Sequence, residues 1–202
     1  MIMNYIYENN NSVCEELCVE IIKLFENDHA KHDGYTISGI NKKIKDTKDM
    51  NILKTNNIWS EIYNFLETEL TCNLKIYLEN INNKYKNING YKNGYELISK
   101  NVVITPFMVQ RYIKNEGKYI YHNDFNIDFE KKTHRVLTYL FYLNDVVEGG
   151  ETEFFGGDIK IIPKAGKLII FPACWTFPHC GNMPISSNKY IITGWIYNSI
   201  IQ

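Results

Sequence analysis

The chain has 202 residues, of which 45% are hydrophobic and 14% aromatic, and its formal net charge at pH 7 is −1. This length and composition predict a single well-packed domain over residues 1–202 and exclude a largely disordered or fibrous protein. Lysines and arginines are dispersed rather than gathered into a stripe, which argues against a nucleic-acid partner.

The N-terminal segment and the cysteines bear on the compartment. The sequence has no signal-peptide pattern and no run of about 18 apolar residues, so we expect neither export nor membrane insertion. Its five cysteines include no CxxC pair, which argues against a disulfide framework and a thiolate zinc site. We therefore expect a soluble protein of the cytoplasm or another reducing compartment.

Two helices are predicted in the N-terminal part, about residues 1–85. Ser12 followed by Glu15 is a capping-box pattern, and apolar residues then recur every three or four positions, which predicts a helix over 13–27. A longer apolar stripe predicts a second helix over about 57–82 that can support a sheet. Its apolar positions are Trp59, Ile62, Tyr63, Leu66, Leu70, Leu74, Tyr77, Leu78 and Ile81.

The segment 38–51 lies between these helices and is polar and lysine-rich, without a sustained period. Such a segment is typical of a mobile surface loop, with a lid over about 38–56 as the alternative.

Short apolar runs separated by turn residues fill the C-terminal part, about residues 100–198. They predict strands over 102–112, 118–122, 135–143, 158–163, 167–172 and 189–197. Helices followed by many short strands indicate an α+β fold whose strands form a sandwich or barrel.

His122 and Asp124 are the first candidates for a metal site. In a strand their side chains would point the same way, about 6–7 Å apart along the chain. Two histidines and one carboxylate form the open-sided ligand set of non-haem Fe(II) enzymes, and His179, between two predicted strands, is the candidate for the second histidine. Polar turns and core histidines also produce this pattern. The other histidines are predicted to be solvated or structural: His29, His32 and His134.

Lys189 strengthens the hypothesis of a ligand site. Alternation in the last strand places it on one face with Ile191, Thr193 and Trp195. If this face lines the interior, the ammonium group needs an anionic partner, because an unpaired buried charge is strongly unfavourable. No acidic residue in the neighbouring predicted strands matches it, so we expect the carboxylate of a ligand.

Several motifs follow one another in order between residues 105 and 197. They are Tyr112, the His122-x-Asp124 pair, Arg135, YLNDVVEGGET (142–152), PKAGKLIIF (163–171), His179, Lys189 and Trp195. In this order they resemble the Fe(II)/2-oxoglutarate-dependent dioxygenases of the prolyl 4-hydroxylase type.

The resemblance implies a double-stranded β-helix, or jelly roll, with N-terminal support helices. It implies that His122, Asp124 and His179 hold Fe(II) as catalytic metal ligands. It also implies that Lys189 pairs with the distal carboxylate of 2-oxoglutarate.

Further roles follow from the same resemblance. Tyr112 and Thr152 match positions that hydrogen-bond 2-oxoglutarate, and Tyr119, Arg135 and Trp195 match positions facing a peptide groove. The implied activity is hydroxylation of a peptidyl residue, with proline favoured. It consumes O2, releases succinate and CO2, and uses ascorbate as reductant.

Other functions remain open. The same iron chemistry could act on another side chain or on a small molecule, and a non-catalytic jelly-roll binding protein is a further alternative. A hydrolytic zinc site with the same ligands is another alternative, but it would not explain a lysine at position 189. Nucleobase demethylation is disfavoured, because relatives of that kind use arginine at this position and the chain lacks a basic patch.

Overall fold

The computed structural model describes residues 5–88, 102–104 and 106–199. The helices are α1 (Glu15–Asn27) and α2 (Ser60–Tyr85). The strands before α2 are β1 (Tyr7–Asn9), β2 (His32–Asp33), β3 (Lys45–Asp46) and β4 (Lys48–Asn51). Those after it are β5 (Val102–Ile104), β6 (Met108–Tyr112), β7 (Lys118–His122), β8 (Ile127–Asp128), β9 (Thr133–Tyr142), β10 (Thr152–Phe154), β11 (Ile159–Ile161), β12 (Leu168–Pro172), β13 (His179–Gly181) and β14 (Lys189–Ser199). Within the described ranges, no helix combines the length and apolar character that crossing a membrane requires.

The strands form two antiparallel sheets that face each other. The large sheet has the order β1-β12-β9-β14-β6-β4-β2, with β5 paired to β14 and β8 paired to β9. The small sheet has the order β11-β10-β13-β7-β3. This arrangement confirms the predicted α+β class with a double-stranded β-helix core.

The large sheet is covered on both faces, which explains why its strands read as nearly continuous apolar runs. In β9, Tyr139 and Phe141 pack with the helices, whereas Leu140 and Tyr142 pack between the two sheets. The apolar face predicted for α2 lies in the helix-side core. The buried residues of α2 are Ile62, Tyr63, Leu66, Leu70, Asn73, Leu74, Tyr77 and Leu78.

The capping box predicted at Ser12 is wrong. Helix α1 begins at Glu15 after Cys14, and no side chain caps it. The Ser12 hydroxyl instead donates a hydrogen bond to Glu69 Oε1 at 2.8 Å, and the backbone N–H of Ser12 donates to the Gly166 carbonyl. Contacts with α2 and with a distant turn therefore fix this segment before the helix begins.

The prediction of a mobile surface loop over 38–51 is also wrong for its second half, which forms β3 and β4. Lys45, Thr47 and Asp49 are buried there, and Lys45 forms an ion pair with Asp49. The N-terminal part is therefore not purely helical, because β1 to β4 join the edges of the sheets. A lysine-rich segment therefore need not be a surface loop, because one of its lysines can be buried in an ion pair.

Candidate active site

Strand pairing brings together three candidate ligands that are far apart in the sequence. His122 ends β7 and lies directly opposite His179, which begins β13. The imidazole centroids are 4.3 Å apart. Asp124 follows β7, with Oδ2 3.4 Å from His179 Nε2 and Oδ1 3.9 Å from His122 Nε2. In the part of the chain that the structure describes, this His–Asp–His cluster is the only group that could hold a metal ion.

Backbone carbonyls orient both imidazoles of the cluster. Nδ1 of His122 lies 2.8 Å from the Ile120 carbonyl, and Nδ1 of His179 lies 3.1 Å from the Phe177 carbonyl. Because a carbonyl only accepts, each Nδ1 carries the proton and each Nε2 presents its lone pair toward Asp124.

The carboxylate is oriented as well. The Thr138 hydroxyl donates a hydrogen bond to Asp124 Oδ2 at 2.8 Å. Two imidazole nitrogens and one carboxylate oxygen directed at a common point fit the ligand set of non-haem Fe(II).

The protonation states of the cluster also fit a metal ion. Burial and the neighbouring His179 lower the pKa of His122 to about 4. Burial raises the pKa of Asp124, but the two histidines and the Thr138 hydroxyl outweigh it, so this pKa lies below its ordinary value. At neutral pH, His122 is therefore neutral and Asp124 ionised, the forms that bind metals.

A cavity of about 500 Å³ lies between the sheets next to the cluster. One face of β14 lines it, with Lys189, Ile191, Thr193 and Trp195 at every second position. The alternation read from the sequence thus places these four side chains on the cavity side.

Lys189 is buried in this cavity and forms no ion pair with a described residue. It is 1% exposed, and its Nζ lies 4.8 Å from the ring centroid of Tyr112 and 5.8 Å from that of Tyr142. Burial lowers the pKa of Lys189 to about 7, and the charge of Glu151 opposes this shift only in part. A carboxylate entering the cavity could form the direct ion pair that Lys189 lacks.

Tyr112 and Thr152 reach the same end of the cavity. Tyr112 lies directly opposite Lys189 in the pairing of β6 with β14, and its hydroxyl donates to Gln110 Oε1 at 3.3 Å. Thr152 accepts a hydrogen bond at 2.7 Å from the hydroxyl of Tyr142, whose ring is near Lys189.

The three residues assigned to a peptide groove also line the cavity, but Tyr119 differs from the other two. The Arg135 guanidinium stacks 3.7 Å above the Trp195 ring, and its Nε donates to the Tyr197 hydroxyl at 2.8 Å. Tyr119 instead stacks on the imidazole of His122, with 3.6 Å between ring centroids.

A β-bulge brings Arg135 to the cavity. The register between β9 and β14 shifts, so that Ile196 pairs with Leu137 while Tyr197 pairs with Arg135. The extra residue in β9 turns Arg135 to the same side as Thr138. Strict alternation would place it on the opposite side.

Sequence reasoning missed four residues around the cavity. Thr138 and Tyr142 have a signal, because they alternate along one predicted strand toward the Lys189 face. Lys45 and Asp49 have none, because nothing local distinguishes a buried ion pair from a solvated polar segment.

Comparisons with known proteins agree with this geometry. Residues 107–197 match the model of the 2OG-Fe(II) oxygenase superfamily. No curated protein matches the chain in a sequence comparison.

Solved structures of similar fold include three prolyl hydroxylases. The viral collagen prolyl hydroxylase of Paramecium bursaria Chlorella virus 1, in its 2OG complex, is 19% identical, with 96% of this chain and 97% of that chain covered and a TM-score of 0.67. The Trichoplax adhaerens prolyl hydroxylase, in complex with a peptide fragment of the hypoxia inducible factor oxygen degradation domain, is 22% identical, with coverages of 97% and 84% and a TM-score of 0.71. A Pseudomonas putida prolyl-4-hydroxylase is 15% identical, with coverages of 96% and 92% and a TM-score of 0.64. At these identities the likeness shows a common fold.

Proposed function

We propose, from the premise that this chain carries a domain of the 2OG-Fe(II) oxygenase superfamily, that it hydroxylates a peptidyl residue, with proline as the favoured substrate. The reaction consumes 2-oxoglutarate and O2 and releases succinate and CO2, with ascorbate as reductant. The observation that carries this proposal is Lys189, a buried lysine that forms no ion pair with a described residue, in the same cavity as the His–Asp–His cluster.

Different residues would bind the metal ion and the cosubstrate. His122, Asp124 and His179 would hold Fe(II), which with 2-oxoglutarate and O2 supplies the oxidising power for C–H hydroxylation. Lys189 would pair with the distal carboxylate of 2-oxoglutarate, and Tyr112 would orient it. An ammonium group in a dry pocket binds a carboxylate more strongly than one in water.

Thr152 would take part through its hydrogen bond with Tyr142. Threonine and tyrosine hydroxyls both donate and accept, so this pair can turn one proton toward a bound carboxylate. The cosubstrate would then meet one charge and a small set of hydroxyl groups.

The other side of the cavity supports a peptide substrate. Tyr35 and Ile37 line it from one loop, and Phe125 lines it from the loop after β7. Arg135 and Trp195 add a stacked cation and ring to the lining of the cavity. Prolyl hydroxylases share this fold, and the one from Trichoplax binds a peptide. These features favour an extended chain with a small apolar ring over a compact metabolite.

Product analysis tests the proposal. Purified protein supplied with Fe(II), ascorbate, 2-oxoglutarate and a library of proline-rich peptides should add one oxygen to proline and form one succinate for each oxygen added. Mass spectrometry of the peptides locates the oxygen.

Two variants sharpen this test. His179→Ala should be inactive, whereas His134→Ala, a histidine outside the cluster, should retain activity. Absence of succinate with and without peptides would contradict the proposal, and oxygen found only on other residues would refute the preference for proline.

A further inference from the structure

We infer that the buried Lys45–Asp49 ion pair positions His122 through the ring of Tyr119, an inference that rests on the proposed function of the His–Asp–His cluster. Lys45 is 4% exposed and Asp49 is 0% exposed, and Lys45 Nζ lies 2.7 Å from Asp49 Oδ2. Replacing such a pair by apolar residues is often neutral or even stabilising. A buried pair beside a ligand cavity therefore calls for a role other than stability.

The pairing of two strands places Lys45 next to the metal site. β3 is the edge strand of the small sheet and pairs with β7, so that Lys45 lies directly opposite Tyr119. The Ile120 N–H donates to the Ile44 carbonyl at 2.9 Å, which extends this pairing toward His122. Lys45 Nζ lies 5.4 Å from the centroid of the Tyr119 ring, within the range of a cation–π contact.

The same ring covers one face of His122. The Tyr119 and His122 rings are 3.6 Å apart and inclined by only 16°. This stack depends on a bulge in β7, because His179 pairs with His122 while Gly181 pairs with Tyr119. An ammonium group, a phenol ring and an imidazole thus form three successive layers.

These contacts restrict the rotation and the tilt of the His122 ring. The Ile120 carbonyl fixes Nδ1, and Tyr119 limits tilting of the ring. Lys45 holds Tyr119 in place, and Asp49 holds Lys45. Groups that orient metal ligands in this way typically change metal affinity by about 10–100-fold when they are removed.

Asp49 also connects this arrangement to the cosubstrate side. Gln110 Nε2 donates to Asp49 Oδ2 at 3.3 Å, and the Tyr112 hydroxyl donates to Gln110 Oε1 at 3.3 Å. The ion pair therefore has contacts that lead to both halves of the candidate site.

Titration of the metal-free protein with Co(II) tests this inference without turnover. Lys45→Met should bind Co(II) about tenfold more weakly than the parent and change its absorption spectrum. Its melting temperature should fall, because Asp49 is left buried without its counter-charge, whereas Lys45→Met/Asp49→Leu, which replaces both partners, should melt close to the parent and show the same loss of Co(II) affinity. Lys48→Met is the matched control, because Lys48 lies on β4, the next strand along the chain, and pairs with Asp33 near the surface. It should bind Co(II) as the parent does.

Variants of Tyr119 test the route through the ring. Tyr119→Phe keeps the ring and should retain parent affinity, whereas Tyr119→Leu should lose as much affinity as Lys45→Met. The double variant Lys45→Met/Tyr119→Leu should lose no more than either single variant, because both act on one contact.

Parent-like Co(II) binding by folded Lys45→Met would overturn the inference, and so would additive losses in the double variant. If Lys45→Met does not fold, Lys45→Met/Asp49→Leu replaces the pair by apolar residues and carries the same expectation. His122→Ala separates the two proposals. If His122→Ala loses Co(II) binding while Lys45→Met and Tyr119→Leu bind Co(II) as the parent does, the positioning role is refuted and the proposed function stands. If the parent protein binds no Co(II), both proposals are refuted.

Discussion

At the scale of single residues, the buried ammonium group of Lys189 lowers the stability of the protein and at the same time offers a binding site for a carboxylate. This group forms no ion pair with a described residue, and burial, which outweighs the charge of Glu151, lowers its pKa to about 7 from 10.5. The unfolded chain keeps this proton up to its own, higher pKa. Stability is therefore reduced most below pH 7 and recovers as the pH rises from 7 toward 10.5.

Lys189→Met should therefore stabilise the cosubstrate-free protein. We expect the free energy of unfolding at pH 7 to rise by about 2–4 kcal/mol, because the penalty of the buried charge is removed. Urea unfolding measures this gain, which should shrink toward pH 10. Lys164→Met, an exposed control, should change little, and a less stable Lys189→Met variant would contradict the account of the charge.

The pH dependence of cosubstrate binding should follow from the same residue. 2-Oxoglutarate binds the ammonium form, so its affinity should be constant below pH 7 and fall by up to about tenfold per pH unit above it. Calorimetric titration of the Mn(II)-loaded protein between pH 6 and 9 measures this slope.

Lys189→Arg provides the control for this pH dependence, because a guanidinium group stays charged throughout the range. The affinity of the Lys189→Arg variant for 2-oxoglutarate should therefore stay constant across this pH range. A parent protein with constant affinity up to pH 9 would show that Lys189 does not carry the binding charge.

At the scale of elements, α2 carries a polar residue in its otherwise apolar face. Asn73 is 2% exposed, and its Oδ1 accepts hydrogen bonds from the Tyr7 hydroxyl and from Asn9 Nδ2, each at 2.8 Å. Its Nδ2 donates to the Glu69 carbonyl at 2.9 Å. Asn73 thus attaches β1 and the turn after it to the support helix.

Asn73→Ala should lower the free energy of unfolding by about 1–3 kcal/mol, because it removes the acceptor of the part-buried Tyr7 and Asn9 donors. Chemical denaturation measures the loss, and Cys72→Ala, at an exposed neighbouring position on α2, should have little effect. Co(II) affinity should stay unchanged, since α2 packs on the face of the large sheet opposite the cavity. A variant as stable as the parent would mean that water replaces these bonds.

The predictability of elements from sequence depends on whether their signal is local. The apolar stripe of α2 repeats along one helix, and the alternation of β14 places Lys189 and Trp195 on one face. The strands β3 and β4 have no such signal, because Lys45 is buried by an ion pair rather than by apolar character. The role of Asn73 has no local signal either, because its hydrogen-bond partners lie in β1 and the turn after it.

At the scale of the whole molecule, the site exists because distant strands pair in one register. Local pattern identifies His122 and Asp124 as a candidate pair, but it cannot tell which histidine lies opposite them. The position of His179 between two predicted strands favours it, and the order of motifs agrees with this choice. The pairing of β7 with β13 brings it within reach of the other two ligands. The bulges that turn Tyr119 and Arg135 to the cavity are properties of the assembled sheets, so a single strand does not reveal them.

An anaerobic crystal structure with Mn(II) and 2-oxoglutarate tests the central claim most directly. We expect one metal ion about 2.0–2.2 Å from Nε2 of His122, Nε2 of His179 and a carboxylate oxygen of Asp124. The distal carboxylate of 2-oxoglutarate should lie within hydrogen-bonding distance of Lys189 Nζ. A metal ion bound elsewhere, or a cosubstrate whose distal carboxylate does not contact Lys189, would contradict the account.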